Sequence, residues 1–231
     1  MSARIEELDW QATRMGELTL RRRVDPATGE QIYEVKLGDE YLMSSLFTVA
    51  EEELATLGLA AASGDRLDVL VGGLGLGYTA VTALADDRVR SLAVIDALPA
   101  VIGWHERELL PVSPTLVRDA RTSLVHDDFF AVVRSAPARE YDVILLDVDH
   151  SPRHTLDPSH AALYTGAGLT ALAAHLREGG VFALWSDDPP DDEFMTALGA
   201  VFDGCRAHPV EFANRLTGGT SSNTVYVGNR R

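Results

Sequence analysis

The feature of this sequence that most constrains its fold is an apolar run that ends in closely spaced glycines, from Leu67 to Gly77. Such a run predicts a buried strand that turns sharply into a helix. Gly73, Gly75 and Gly77 permit positive φ angles and a close approach of the backbone to a ligand. Asp96 ends the next apolar run, and an acid at that strand tip is suited to bind both hydroxyls of a ribose. The loop and the acid together predict a nucleoside-binding edge of a sheet.

The spacing of these glycines bears on the kind of nucleoside. Residues 73–77 read Gly-x-Gly-x-Gly. Dinucleotide sites use Gly-x-Gly-x-x-Gly, in which the last glycine lets the helix pack on the strand and the helix N-terminus receives a pyrophosphate. The spacing therefore favours a single nucleoside without a pyrophosphate, and a nicotinamide dinucleotide stays as the alternative.

From Leu67 onward, β-favouring apolar segments alternate with helical ones. This alternation predicts a parallel sheet with helices on both faces and ligands at the carboxyl ends of its strands. The tail has two strands and no helix between them, which predicts an antiparallel pair. We therefore predict an α/β, Rossmann-like, seven-stranded and mostly parallel sheet with an antiparallel C-terminal strand pair. The predicted strands are 67–71, 91–95, 122–125, 142–146, 181–185, 206–212 and 224–227, and the predicted helices are 79–85, 99–109, 129–134, 161–177 and 191–202.

The first sixty residues have a different pattern. Residues 17–24 and 31–37 alternate β-favouring and polar side chains around a Pro- and Gly-containing turn, which predicts a β-hairpin. A short third strand is predicted at 41–43. Thr48 and Glu51 have capping-box spacing, which predicts the start of a helix that runs to about residue 59. We expect an N-terminal region of β-hairpin and linking helix over 1–60 and the main domain over 61–231.

Composition limits the partners. The chain has 35 acidic residues against 20 Lys and Arg, a formal net charge of -15, which would repel a nucleic-acid backbone and would attract a cationic small molecule. No apolar run reaches the roughly eighteen residues of a membrane span, and no signal-like segment opens the chain. A single cysteine fits a reducing compartment. We expect a cytoplasmic protein with a small-molecule partner, without nucleic-acid or membrane partners.

Three segments occur in an order that resembles a known superfamily. They are residues 69–77, residues 94–102 with Asp96, and residues 141–147 ending in Asp147. In this order they resemble the class I S-adenosylmethionine-dependent methyltransferase superfamily, most of all its spermidine synthase-like branch, the polyamine aminopropyltransferases. The resemblance spans roughly Gly38 to Ser186. It implies S-adenosylmethionine or decarboxylated S-adenosylmethionine as cofactor, and a homodimer in which the N-terminal region takes part.

The resemblance also implies roles for individual residues. The glycine loop would lie alongside the methionine moiety of the cofactor, and Asp96 would hold the ribose hydroxyls. Asp127 would match the acid that contacts the adenine amino group, or Asp128 would do so if the register differs by one. Asp127 is also suited to cap the helix that starts at residue 129. Asp147 would match the first acid of the loop at which the cofactor meets the acceptor.

The sequence departs from the branch at three places. Apolar residues, Leu74 and Leu76, stand where the family has an acid in its glycine loop. The family has a pattern like Asp-Ser-Ser-Asp where this chain has Asp147-Val148-Asp149-His150. His150 therefore stands at the position of the family's second acid, unless the register shifts and Asp149 takes that place. The Tyr-His-Glu cluster that lines the family's diamine site is missing from residues 44–48. We therefore predict methyl transfer to a small-molecule acceptor.

Two alternatives stay open. The first is a polyamine aminopropyltransferase in which Asp147 and Asp149 hold and deprotonate the amine. The second is a non-catalytic nucleoside-binding protein. For a catalytic protein, His150 is a candidate base whose basicity Asp147 or Asp149 would raise, although His150 also fits a plain loop position at the strand end.

The remaining polar clusters favour structural roles. The histidines between 150 and 160 have no regular ligand spacing, and prolines interrupt the segment, so that we predict no metal site. The acidic loop 187–192 is read as a solvated loop with acids at a helix N-terminus, with contact to a cationic acceptor as the alternative. Among the large aromatics, Trp185 has the best position for lining a site, at the carboxyl end of a predicted strand.

Overall fold

The chain forms two β-sheets in the computed structural model, which describes residues 5–13 and 16–231. The smaller sheet has four antiparallel strands in chain order: β1 (Glu6–Thr13), β2 (Gly16–Val24), β3 (Gln31–Leu37) and β4 (Glu40–Ser44). The predicted hairpin and third strand are present, but β1 was not predicted. It is an edge strand with mostly exposed or half-buried side chains, so its sequence carries no clear apolar alternation. Residues 1–4, 14 and 15 of the predicted N-terminal region lie outside the described residues.

The larger sheet confirms the predicted Rossmann-like architecture. Five strands run parallel, and β11 pairs antiparallel with both β9 and β10. The strand order is β10-β11-β9-β8-β5-β6-β7. The strands are β5 (Leu67–Gly72), β6 (Val89–Asp96), β7 (Thr122–His126), β8 (Tyr141–Leu146), β9 (Leu176–Ser186), β10 (Phe202–Asn214) and β11 (Gly219–Arg230).

Helices connect the strands. They are α1 (Val49–Ala61), α2 (Tyr78–Leu84), α3 (Pro99–Glu106), α4 (Ser113–Arg118), α5 (Phe129–Arg134), α6 (Gly166–Ala173) and α7 (Asp192–Val201), with a 3-10 helix over Pro158–Tyr164. Among the described residues, none of the helices combines the length and the apolarity that a membrane crossing needs.

The single helix predicted over residues 161–177 is wrong. The segment divides at Thr165, which is extended and whose hydroxyl accepts from the backbone N–H of Gly168, so that α6 starts anew after the 3-10 helix. Residues 176 and 177 already belong to β9. The short helix α4 was not predicted.

The central strand β5 divides the core into two apolar clusters. Val69 and Val71 belong to the cluster that includes α1 to α3, whereas Leu70 belongs to the cluster with α5 to α7. A strand buried on both faces explains the nearly continuous apolar run of the sequence. In the sheet, β6, the next strand of the chain, lies on one side of β5, and β8 lies on the other. The strand order reverses at β5, and this reversal leaves a crevice at the carboxyl ends of the strands, where ligands bind in such sheets.

The smaller sheet closes over this crevice because it shares the core of the main domain. Leu18 and Val35 are buried in the cluster that contains α1 to α3. At the outer edge, Asp9 in β1 accepts from Trp104 Nε1 at 2.6 Å and from Arg107 at 2.9 Å, both in or next to α3. The N-terminal sheet is thereby held against the main domain on one flank of the site.

Candidate functional site

A cavity of about 220 Å³ lies at the carboxyl ends of β5, β6 and β8, between the glycine loop and the small sheet. The small sheet contributes apolar side chains, α1 contributes Glu51, and the main sheet contributes acids and backbone. The lining includes Leu18, Val35, Leu37, Leu42, Met43, Glu51, Gly73, Leu74, Gly75, Gly77, Asp96, Asp128, Phe130, Asp147, His150, Asp157, His160 and Trp185.

The glycine loop forms one wall and lies against the end of β8. Gly73 has φ +91°, and a Cβ there would lie 2.0 Å from the backbone oxygen of Asp147. A side chain at this position is excluded by both the φ angle and the space. The loop backbone therefore borders the same cavity as the acid at the end of β8.

Asp96 lies in the cavity wall at the end of β6, as predicted from its position in the sequence. Its two carboxylate oxygens accept from the backbone N–H groups of Leu74 at 2.9 Å and Leu98 at 2.8 Å. Burial raises the pKa of Asp96, although these hydrogen bonds favour its charged form. A carboxylate oxygen can accept more than one hydrogen bond, so Asp96 is able both to fix the loop and to bind a ligand's hydroxyls.

Asp127 and Asp128 differ in their placement. The cap of α5 is Asp128, whose Oδ1 accepts from the N–H of Phe130 at 2.9 Å, so the prediction that Asp127 caps this helix is wrong by one residue. Asp128 also lines the cavity. Asp127 is exposed and does not belong to the cavity wall. Of the two aspartates named for the adenine contact, only Asp128 therefore lines the cavity.

Asp147 and Glu51 bring two carboxyl groups into the cavity beside the glycine loop. Asp147 Oδ2 accepts from Thr79 Oγ1 at 2.8 Å, and the same hydroxyl lies 3.3 Å from the backbone oxygen of Glu51. Burial raises the pKa of Asp147 to about 6. Burial, with the nearby charge of Asp147, raises the pKa of Glu51 to about 8. Near neutral pH the two groups together therefore hold about one proton.

Glu51 is a site residue that sequence reasoning missed. Its capping-box spacing with Thr48 suggested a local role, but the Thr48 side chain caps no backbone N–H and its hydroxyl donates instead to Glu52 at 2.7 Å. The helix begins where predicted, yet Glu51 lines the cavity. No local pattern signals this, because the role depends on α1 lying over the glycine loop.

Asp149 is fully buried and does not line the cavity. It accepts from the backbone N–H of Leu156 at 2.7 Å, from His160 Nδ1 at 2.8 Å and from the Tyr164 hydroxyl at 2.7 Å. The imidazole of His160 does line the cavity and stacks on Phe130 with ring centroids 3.6 Å apart. Any contribution of Asp149 to chemistry in the cavity therefore passes through His160.

His150 lines the cavity but lacks the partner that we predicted. Within the described part of the chain, no hydrogen bond joins it to Asp147 or Asp149. Its Nε2 is buried without a hydrogen-bond partner and lies 3.7 Å from Glu40 Oε1. The predicted hydrogen bond between His150 and one of those aspartates is not formed, because Asp147 bonds to Thr79 and Asp149 to His160.

The acidic loop 187–192 stays outside the cavity wall. Asp187 accepts from Asn223 at 2.7 Å, and Asp191 caps α7 and pairs with Arg153 at 2.6 Å. These contacts agree with the structural interpretation of the loop. Trp185, at the carboxyl end of β9, lies in the cavity wall.

Comparison with solved structures identifies the fold. A spermidine synthase in complex with the transition state analogue AdoDATO superposes with a TM-score of 0.76 at 20% identity, covering 97% of this chain and 74% of that chain. The chain has the fold of the spermidine synthases. The spermidine synthase from Thermotoga maritima gives a TM-score of 0.74 at 21% identity, with 97% and 73% of the two chains covered. No family model matches the chain, and no curated protein matches it.

The spermidine synthase fold extends over both sheets, since 97% of this chain is covered in each superposition. The fold brings Asp96, Asp128 and Asp147, which are far apart in the sequence, to one cavity. It leaves Asp127 and Asp149 outside that cavity's wall. The site therefore combines acids at the ends of β6 and β7 with a pair of carboxyl groups near β8.

Proposed function

We propose that this protein transfers an aminopropyl group from decarboxylated S-adenosylmethionine to an amine acceptor. The observation that carries the proposal is the pair Glu51 and Asp147 beside the glycine loop. In the sequence, the apolar Leu74 and Leu76 argued against this chemistry because the loop supplies no acid for the donor's cationic amine. The folded chain supplies that acid from α1 and from the end of β8.

The proposed donor matches the order of groups along the cavity. Asp128 would bind the adenine end and Asp96 the ribose hydroxyls. The glycine loop would lie along the tail, with Glu51 and Asp147 toward its amine. Displacement at a sulfonium carbon needs alignment of the acceptor more than special catalytic groups, because the donor itself carries the leaving group. The residues that line the cavity are those that such alignment requires.

Charge favours the decarboxylated donor over S-adenosylmethionine itself. Near pH 7 Glu51 and Asp147 carry about one negative charge between them. A cationic amine beside them is attracted by on the order of 1–4 kcal/mol at 4 Å, whereas the carboxylate of intact S-adenosylmethionine would add a further negative group. The same reasoning favours a cationic acceptor for a chain whose net charge is -15.

The fold supports this proposal, because the two similar structures are spermidine synthases and one of them holds a transition state analogue. The small sheet adds apolar walls, among them Leu37 and Leu42, which suit the methylene chain of a polyamine. We also propose, by the same likeness, that the N-terminal sheet takes part in a homodimer.

Methyl transfer stays as the second candidate. It is favoured by one observation, the burial of Leu74 and Leu76 in the loop where an acid would otherwise meet the donor's amine. A protonated Glu51 is also able to donate a hydrogen bond to a carboxylate. The products separate the two candidates: loss of an aminopropyl group leaves methylthioadenosine, whereas loss of a methyl group leaves S-adenosylhomocysteine.

The test incubates the purified protein with each donor and a panel of amines, and identifies the nucleoside product by chromatography. The proposal expects methylthioadenosine from the decarboxylated donor, with the rate reduced in Asp147→Asn. Release of S-adenosylhomocysteine would establish methyl transfer instead. Donor binding with no product from any acceptor would favour the non-catalytic alternative.

A further inference from the structure

We infer that His160, held by the buried carboxylate of Asp149, is the base that takes a proton from the acceptor amine. This inference rests on the proposed function and adds to it a catalytic residue and a positioning residue. It moves the proton acceptor from the 147–150 segment, where the family resemblance implies it, to the 3-10 helix. The geometry of His160 provides the argument.

The environment of Asp149 fixes the protonation pattern of the ring. The Asp149 side chain is completely buried, and it accepts from His160 Nδ1 at 2.8 Å while the Tyr164 hydroxyl donates to its other oxygen at 2.7 Å. Because an ionised carboxylate only accepts, the imidazole proton lies on Nδ1. The lone pair of a neutral His160 is then on Nε2, which bonds to no group in the described residues.

One further contact holds the ring in place at the cavity. One face of His160 stacks on Phe130, at 3.6 Å between centroids and 8° between planes. The side chain is 14% exposed and lines the cavity, whereas Asp149 does not. Nδ1 is therefore engaged by the buried Asp149, and Nε2 is the ring nitrogen that remains for a ligand in the cavity. An acid that orients a histidine in this way also stabilises the imidazolium that forms on proton transfer.

The other bases in the cavity have different partners. His150 has its Nε2 enclosed and without a hydrogen-bond partner, so it is neither oriented nor open to a ligand at that atom. Asp147 accepts from Thr79 and lies near Glu51, so that the two carboxyl groups together are suited to hold the donor's amine. The charged or titratable groups around His160 are Asp149, which bonds to its Nδ1, Tyr164, which bonds to the other oxygen of Asp149, and the nearby Asp157.

The proposed step conserves atoms and charge. His160 Nε2 takes one proton from the acceptor's ammonium group, which frees the nitrogen lone pair. That lone pair forms a C–N bond to the propyl carbon as the C–S bond breaks, and the bonding pair moves to sulfur. The sulfonium becomes a neutral thioether, the acceptor becomes a secondary ammonium ion, and His160 returns its proton to water.

The test measures methylthioadenosine release from decarboxylated S-adenosylmethionine and 1,4-diaminobutane between pH 6 and 10. For His160→Gln we expect a loss of about 100-fold at pH 7, in the range of general-base contributions. The loss should shrink toward pH 10, because an alkyl amine with a pKa of about 10.4 then supplies its own free base. The dissociation constant of the donor should stay within threefold of that of the wild type.

Two variants make this test specific. Asp149→Asn, which keeps the volume of the side chain, should lose activity with the same pH dependence, because an amide no longer stabilises the imidazolium. His154→Gln is the matched control, an exposed histidine of the same segment that does not line the cavity. It should follow the wild-type pH profile. A loss in His160→Gln that is equal at every pH, or the pH-dependent loss in His150→Gln instead, would overturn the inference.

A spectroscopic measurement separates this inference from the proposed function. In protein labelled with ¹⁵N-histidine, wild-type His160 should show the Nδ1–H tautomer, and addition of 1,4-diaminobutane with bound donor should shift its Nε2 resonance. If the donor binds and no product forms with any amine, the proposed function fails. The inference, which rests on that function, then falls with it. If product forms, an unchanged Nε2 resonance or an Nε2–H tautomer refutes the inference alone and leaves the proposed function standing.

Discussion

Replacing Glu51 by glutamine tests the pair of carboxyl groups most sharply. The substitution keeps the size of the side chain and removes its charge and its titration. In the wild type, a cationic donor amine binds best when Glu51 is ionised, but burial and Asp147 raise the pKa of Glu51 to about 8. Binding of the decarboxylated donor must therefore expel a proton at neutral pH.

The size of the effect follows from that pKa. With a pKa of about 8, Glu51 is roughly 90% protonated at pH 7 and roughly 10% protonated at pH 9. The affinity for the decarboxylated donor should therefore rise about tenfold between pH 7 and pH 9, equivalent to about 1.4 kcal/mol. Intact S-adenosylmethionine presents a carboxylate to the same group, so its affinity should fall over this range.

The assay is calorimetric titration of wild type and Glu51→Gln with each donor at pH 7, 8 and 9, in buffers of different ionisation enthalpy. The variant should lose the rise with pH, and at pH 9 it should bind the decarboxylated donor more weakly by about 1.5–3 kcal/mol, the range for a charged hydrogen bond. Glu52→Gln, which changes an exposed neighbour, is the control. A pH dependence that persists in Glu51→Gln would refute the reasoning.

Further predictions concern stability and the nucleoside end of the cavity. Because the folded state keeps a proton on Glu51 that the unfolded chain releases, the wild type should lose stability relative to Glu51→Gln as pH rises from about 4.5 to 8, by on the order of 5 kcal/mol in urea unfolding. Parallel curves would contradict this. Asp96→Ala should weaken binding of either donor by on the order of 1–3 kcal/mol in calorimetry, and unchanged affinity would remove Asp96 from the site. Asp128→Asn should keep the helix cap, and hence the melting temperature, but weaken donor binding about tenfold, because a charged hydrogen bond contributes roughly 1.5–3 kcal/mol. Asp127→Asn should bind normally, and the reverse pattern would restore Asp127 as the adenine contact.

The sequence predicted the architecture well where one local pattern determines one element. The run from Leu67 to Gly77 contains a buried strand and a tight turn, and both formed as expected. The prediction of a single helix over 161–177 was wrong because Thr165 caps a new helix within a segment whose composition is otherwise helical. The edge strand β1 was not predicted because an exposed strand needs no alternation of apolar residues.

The site was only partly predictable, because some of its residues reach the cavity through tertiary contacts and not through a local pattern. Asp96 and Asp147 follow strands whose carboxyl ends meet at one edge, so their convergence follows from the topology. Glu51 enters the cavity through the placement of a helix from outside the sheet, and Asp149 pairs with His160 through the fold of a loop. Such tertiary contacts leave no periodic trace in the sequence.

The most direct test of the account is a side-by-side calorimetric titration of the purified protein with decarboxylated S-adenosylmethionine, S-adenosylmethionine and NAD at pH 8. The account predicts that the decarboxylated donor binds most tightly and that NAD does not compete with it. Tighter binding of S-adenosylmethionine would contradict the role of Glu51 and Asp147 and restore methyl transfer, and the absence of binding to all three would refute the nucleoside site itself.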